Sequence, residues 1–192
     1  LLAWEIGPGD AVFCPSFTYC ATAEAIANTG ATPVFIDIHR RTYNIDPESL
    51  ERAINEVKKN RQLVPRAVIA VDLFGQSANY PILSAIAKSY DLKLIADSAQ
   101  GFGTTLKGKH PLHWADITTT SFFPAKPLGC YGDGGAILTN DDNLAIRIES
   151  LRFHGKGVVK YDNTHVGLNS RLDTLQAAIL LPKLKIFSEE IN

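Results

Sequence analysis

Short apolar runs alternate with helix-period patterns along nearly the whole chain. The run DAVFCP, from Asp10, predicts a strand, and ATAEAIANTG after it predicts a small-residue helix stopped by Gly30. TPVFIDI predicts a second strand. Asp46 then stands where a helix cap belongs, with Pro47 in the first turn and Leu50, Ile54 and Val57 at helical spacing. RAVIAVDLFG predicts a buried strand, YPILSAIAKSY a helix, LKLIADSAQ a strand ending in polar residues, and DITTTSF one more. GGAILTN returns as a strand before the helix DDNLAIRIESLRF. The glycine-rich, polar stretch HGKGVVKYDNTHVG is expected to be the loosest part, ahead of a last helix from about Leu172.

Strands this short, alternating with helices, build βαβ units. The expected fold is therefore three-layer α/β/α with a mainly parallel central sheet covered on both faces. No internal repeat and no low-complexity segment interrupts it.

Composition narrows the picture further. At 192 residues and 45% hydrophobic content, the chain can bury one sizeable core. Charge is nearly balanced, 19 basic against 20 acidic residues, so nothing points to nucleic acid or to a membrane surface. No apolar run reaches the roughly 18 residues of a membrane span. Cys14, Cys20 and Cys130 form no C-x-x-C pair, which argues against a disulfide framework or zinc and suits a reducing cytoplasm. The chain opens LLAWEIGPGD without a methionine and closes on KLKIFSEEIN, which reads as a helix running outward, so residues are expected beyond both ends.

In sheets of this kind, ligands bind in the crevice outside the carboxyl ends of the strands. The polar residues just past those ends are Asp72, Asp97, Gln100, Ser121 and Lys126. Taken alone, Asp97 reads as a cap or turn residue, and Lys126 as a surface lysine in a turn. Together they are more telling. Lys126 sits in SFFPAKPLGCYGDGG, a loop of aromatics, prolines and glycines following a strand that can lie beside the one ending at Asp97. A carboxylate and a lysine so disposed suit pyridoxal 5'-phosphate, which needs an imine-forming amine and an acid to keep its ring nitrogen protonated.

Five blocks, GDAVFCPSFTYCATAEAI, DLFGQSA, LIADSAQGFG, SFFPAKPLGCYGDGGAI and HVGLNSRLDTLQAAIL, run in order over almost the whole chain. In them the sequence resembles the sugar aminotransferases of the DegT/DnrJ/EryC1/StrS family, within the fold-type I enzymes that use pyridoxal phosphate. The resemblance implies that residues 1–192 are part of the cofactor-binding large domain. It also implies that an upstream phosphate-binding turn and a C-terminal small domain lie outside them.

The resemblance assigns roles as well. Lys126 would form the imine and shuttle a proton, in a state free of charge part of the time, helped by poor solvation among Phe122, Phe123 and Pro124. Asp97 would pair with the ring nitrogen. Gln100 would bond near the ring's phenolic oxygen, on the same side if Asp97 leads into a helical turn. Ser121 would donate to the phosphate, and Tyr19 would stack on the ring unless it is an ordinary core tyrosine. Asn169 would reach across a homodimer interface to the partner's phosphate, the alternative being a cap on the last helix. Arg171, His154 and Gly155 match the family without a secure role, a structural one being as fitting for Arg171.

The implied activity is transamination of a nucleotide-linked keto-sugar by an amino-acid donor such as L-glutamate, with ping-pong kinetics. SFFPAKPLGCYGDGG especially resembles members that aminate C3 of UDP-linked 2-acetamido hexuronates for bacterial surface polysaccharide. Two alternatives stay open. One is a dehydratase of the same family, which typically has histidine in place of the lysine. The other is a non-catalytic cofactor- or nucleotide-binding α/β domain, for which CPSFTYC offers no glycine-rich turn.

Overall fold

The computed structural model describes residues 1–159 and 161–191. Six strands form one sheet in the order β2-β1-β3-β4-β5-β6: β1 (Asp10–Pro15), β2 (Thr32–Ile36), β3 (Val64–Val71), β4 (Lys93–Asp97), β5 (Ile117–Ser121) and β6 (Gly135–Leu138). All neighbours are parallel except β5 and β6, which pair antiparallel. The expected α/β/α architecture is observed, with α1 (Ala21–Ala27), α2 (Pro47–Asn60), α3 (Tyr80–Ser89), α4 (Asp142–Arg152) and α5 (Thr174–Glu190). Pro65 of β3 stands opposite Ala11 where the register slips, the kind of irregularity that tolerates a residue without an N–H.

Strand alternation divides the core in two. Phe13, Val68, Ala70, Leu94 and Ala96 face one way, and Leu50 and Ile54 of α2 and Leu83 and Ile86 of α3 pack on them. Val12, Cys14, Ile69, Val71, Ile95 and Ile117 face the other way, against Ile26 of α1 and Leu144 of α4. Burial on both faces is why these strands read as continuous apolar runs.

The helices begin and end where local chemistry directs. The Asp46 carboxylate accepts from the Ser49 N–H at 2.9 Å, and Asp141 accepts from Asn143 and Leu144. Past α1, Gly30 has φ +81, and a Cβ there would meet Pro8 Cγ at 2.9 Å, so the residue both stops the helix and admits the chain passing over it.

A third cluster sits apart. Phe122, Leu128 and Cys130 from the loop after β5 pack with Leu180 and Phe187 of α5. The stretch expected to be loosest is mostly exposed, and some of its backbone groups pair across it. His154 N–H donates to Leu168 O at 2.9 Å and Thr164 N–H to Gly155 O at 2.9 Å. Lys160 in that stretch, and Asn192 at the end of KLKIFSEEIN, lie outside the described residues.

Candidate active site

β3, β4 and β5 run parallel, so their carboxyl ends open on the same edge of the sheet, beside the start of α1. A cavity of about 700 Å³ lies there, and Tyr19, Asp97, Gln100, Ser121 and Lys126 all line it. Ile69, Val71 and Ile95 supply an apolar wall. Residues far apart in sequence meet because βαβ winding returns every strand end to one edge.

Asp97 ends β4. Its Oδ1 accepts from the Ala99 N–H at 3.0 Å, and among the described residues its carboxylate has no ion-pair partner. Burial pushes the carboxyl above its usual range, while the Ala99 N–H and then the charge of Lys126 pull it back. A desolvated carboxylate with a single backbone donor fits a cationic or N–H-bearing group brought from outside, such as a protonated ring nitrogen.

The chain leaves Asp97 through a pair of turns, with Gly101 N–H donating to Ser98 O at 3.0 Å, and not through the helical turn that the spacing allowed. Gln100 reaches the cavity even so. Its Oε1 accepts from the Phe74 N–H at 2.8 Å, which leaves the amide NH2 to donate.

Lys126 is half-buried, and its Nζ stands 5.9 Å from the centroid of the Tyr19 ring. Tyr19 is 67% exposed and is not a core residue. The environment expected for the lysine differs from the one observed. Phe122 turns into the α5 cluster and Pro124 is exposed, whereas Phe123 lines the cavity with Lys126, so the apolar surroundings come from β3 and β4 together with Phe123 of the loop.

The loop's glycines serve its own folding. A Cβ on Gly129 would stand 2.6 Å from Pro124 O, and one on Gly135 would stand 2.7 Å from Thr120 O. Lys183 of α5 closes the arrangement by donating to Gly129 O. Ser121 Oγ accepts from the Phe123 N–H at 3.2 Å, and its hydroxyl hydrogen remains available to an acceptor.

Asn169 is not in this cavity. It lines a neighbouring one of about 810 Å³ with Ser170 and Arg171, and its Oδ1 accepts from Arg171 Nε at 2.8 Å. It does not cap the last helix, whose capping position is held by Asp173. Asp133 and Thr119 line both cavities. Sequence reasoning passed over Asp133, although it is the one carboxylate in CYGDGG, within the same loop as Lys126.

The whole chain, residues 1–192, matches the DegT/DnrJ/EryC1/StrS aminotransferase family. It is 54% identical over 190 residues to the UDP-2-acetamido-2-deoxy-3-oxo-D-glucuronate aminotransferase of Pseudomonas aeruginosa, covering 99% of this chain and 51% of that protein. A DegT DnrJ EryC1 StrS aminotransferase from Brucella abortus superimposes with a TM-score of 0.97 at 51% identity, over 98% of this chain and 51% of that one. NtdA from Bacillus subtilis, solved with bound cofactor PMP, superimposes with a TM-score of 0.88 at 37% identity, over 98% of this chain and 41% of that one. The chain thus spans about half the length of the relatives it matches.

Proposed function

This chain belongs to the DegT/DnrJ/EryC1/StrS aminotransferase family, and on that premise we propose that the protein transaminates a nucleotide-linked keto-sugar, using pyridoxal phosphate. The observation that carries the reading is the convergence of Asp97 and Lys126 on one cavity from the ends of adjacent strands, with Gln100, Ser121 and Tyr19 around them.

Bound there, the cofactor supplies an electron sink for the charge left on a substrate carbon when its proton is removed. The protein's residues do the rest. Lys126 Nζ would tether the cofactor and, once freed by the amino donor, would serve as the base that holds and moves the proton. Asp97 would accept from the protonated ring nitrogen, in the desolvated setting that makes such a pairing favourable. Gln100, with its NH2 free, Ser121, with its hydroxyl hydrogen free, and the exposed Tyr19 ring would hold the cofactor by donating to its oxygens and covering its ring. Asn169, outside this cavity, would serve the phosphate of a second copy, which makes the working unit a homodimer.

The amino donor is an α-amino acid of the glutamate type. The acceptor is a UDP-linked 2-acetamido hexuronate with a C3 keto group, destined for surface polysaccharide. Support for this choice is the 54% identity to an enzyme named for that substrate.

The test is an absorbance spectrum of the full-length protein with pyridoxal phosphate, before and after L-glutamate, beside Lys126→Ala. A near-visible band that glutamate bleaches, and that changes character in the variant, supports the reading. No band even with added cofactor overturns it, and a band untouched by glutamate moves the protein to another donor or to the dehydratase branch.

A further inference from the structure

Asp72 has no part in the chemistry above, yet it is the only fully buried carboxylate among the described residues, at 0% exposure. It follows β3, and its backbone N–H donates to the carbonyl of Asp97 at 2.9 Å. Its side chain binds two loops. Oδ1 accepts from the Tyr80 hydroxyl at 2.7 Å and from the Ala78 N–H at 3.0 Å, both beyond β3. Oδ2 accepts from the hydroxyl of Ser98, the residue after Asp97, at 2.6 Å.

The turn beyond Ser98 lies directly against this group, since a Cβ on Gly101 would come within 2.5 Å of Asp72 Cβ. Two more bonds join the same loops: Phe74 N–H to Gln100 Oε1 at 2.8 Å, and the Thr104 hydroxyl to Gly75 O at 3.0 Å. Burial pushes the Asp72 carboxyl upward and the nearby Asp97 charge adds to this, while the Ser98, Tyr80 and Ala78 donors pull it back. A fully enclosed carboxylate with every oxygen engaged is costly unless its network is complete, and here the network is built around the two residues that face the cavity.

We propose that Asp72 is a positioning residue of the cofactor site: it fastens the turn from Asp97 to Gly101 against the loop from Leu73 to Tyr80, and so sets the direction in which Asp97 and Gln100 face the cavity. The inference rests on the cofactor reading of that cavity. It predicts that Asp72 acts through Asp97, and a double-mutant cycle measures that dependence directly.

The experiment uses the full-length protein as wild type, Asp72→Asn, Ser98→Ala, Asp97→Asn, and each of the first two combined with Asp97→Asn. It reads the pyridoxal phosphate dissociation constant by absorbance titration, kcat and KM for L-glutamate, and backbone hydrogen exchange without cofactor. Asp72→Asn is nearly isosteric. It is expected to weaken cofactor binding and lower kcat by about tenfold each, with KM within about twofold, the scale found when an outer partner of a site is removed. Amides in residues 73–78 and 98–101 exchange faster. In the Asp97→Asn background the same change has a clearly smaller effect, what remains being the share that acts through Gln100. Ser98→Ala, which deletes the 2.6 Å bond to Asp72, reproduces part of this pattern.

Equal losses in both backgrounds overturn the proposal, because Asp72 then supports the fold and not Asp97. Wild-type affinity and kcat in both Asp72→Asn and Ser98→Ala also overturn it. If Asp72→Asn does not fold, Ser98→Ala in the two backgrounds decides by the same criterion. A wild-type protein with no cofactor band removes the cofactor reading and this inference with it, whereas a normal band with uncoupled variants removes this inference alone.

Discussion

Lys126 Nζ and the Tyr19 ring face each other at 5.9 Å across the cavity, one from the loop after β5 and the other from the residues leading into α1. Tyr19 is 67% exposed, so little of the fold depends on its packing, and its ring is presented to whatever enters. Tyr19→Ala is expected to change stability by less than about 0.5 kcal/mol and to weaken pyridoxal phosphate binding about tenfold, the order of a lost aromatic stack. Tyr19→Phe keeps the ring and stays within about twofold of wild type. A cofactor titration and a thermal melt on each variant check both statements, and loss of affinity in Tyr19→Phe sinks the stacking role.

Asp97 gives a pH prediction whose sign is opposite to that of an ordinary ion-paired aspartate. Burial raises its carboxyl above the ordinary aspartate value of 3.8. The cofactor-free folded state therefore holds that proton more tightly than the unfolded chain does. Its stabilising contribution is present below 3.8 and is lost as pH rises through the raised folded value. Asp97→Asn removes the ionisation. The cofactor-free variant should melt about 2–4 °C higher than wild type at neutral pH, for each 1 kcal/mol or so gained. The gap should close as pH falls toward 3.8. Melting curves across that range measure it, and a variant less stable than wild type at neutral pH contradicts the burial argument.

Gly129 tests the loop geometry. A methyl group there would collide with two backbone carbonyls, Pro124 O at 2.6 Å and Phe123 O at 2.8 Å, neither of which can swing aside as a side chain would. Gly129→Ala is expected to destabilise by about 1–3 kcal/mol. It should also reduce imine formation at Lys126, which lies between those carbonyls and the glycine along the chain. Denaturant unfolding together with the cofactor band separates the two effects.

Asn169 tests the shared site. If it serves the partner's phosphate, co-expressed Lys126→Ala and Asn169→Ala chains form hybrids in which one of the two sites is intact. Activity should recover to about a quarter of wild type, well above either parent. If Asn169 acts within its own chain, the mixture shows only the average of the two parents.

Much of the architecture was legible from residue pattern, for local reasons. Asp46 with Pro47 marks a helix start because the capping carboxylate and the first turn are sequence neighbours. Runs such as RAVIAV and LKLIA read as strands covered on both faces because, past Arg66 and Lys93 at their starts, neither alternate set of positions carries charge. The set of strand-end polar residues followed from the winding rule alone, and Asp97, Gln100, Ser121 and Lys126 do line one cavity.

The behaviour of the residues near Lys126 depended on partners remote in sequence. Phe122 turned to α5 because Leu180 and Phe187 offered it an apolar pocket, leaving Phe123 and Pro124 outside. Of the loop's glycines, Gly129 answers to the loop's own carbonyls, while Gly132 and Gly134 make room for Gln176 and Leu172, remote in sequence. Asp72, one polar residue among several past strand ends, became the tie between two loops only when β3 and β4 lay side by side and brought Ser98 to it. By itself the sequence determined the elements, their order and the edge on which chemistry gathers, because periodicity and capping act over a few residues. Tertiary structure alone decided which side chains meet, because burial and hydrogen-bond completion are settled between strands far apart along the chain.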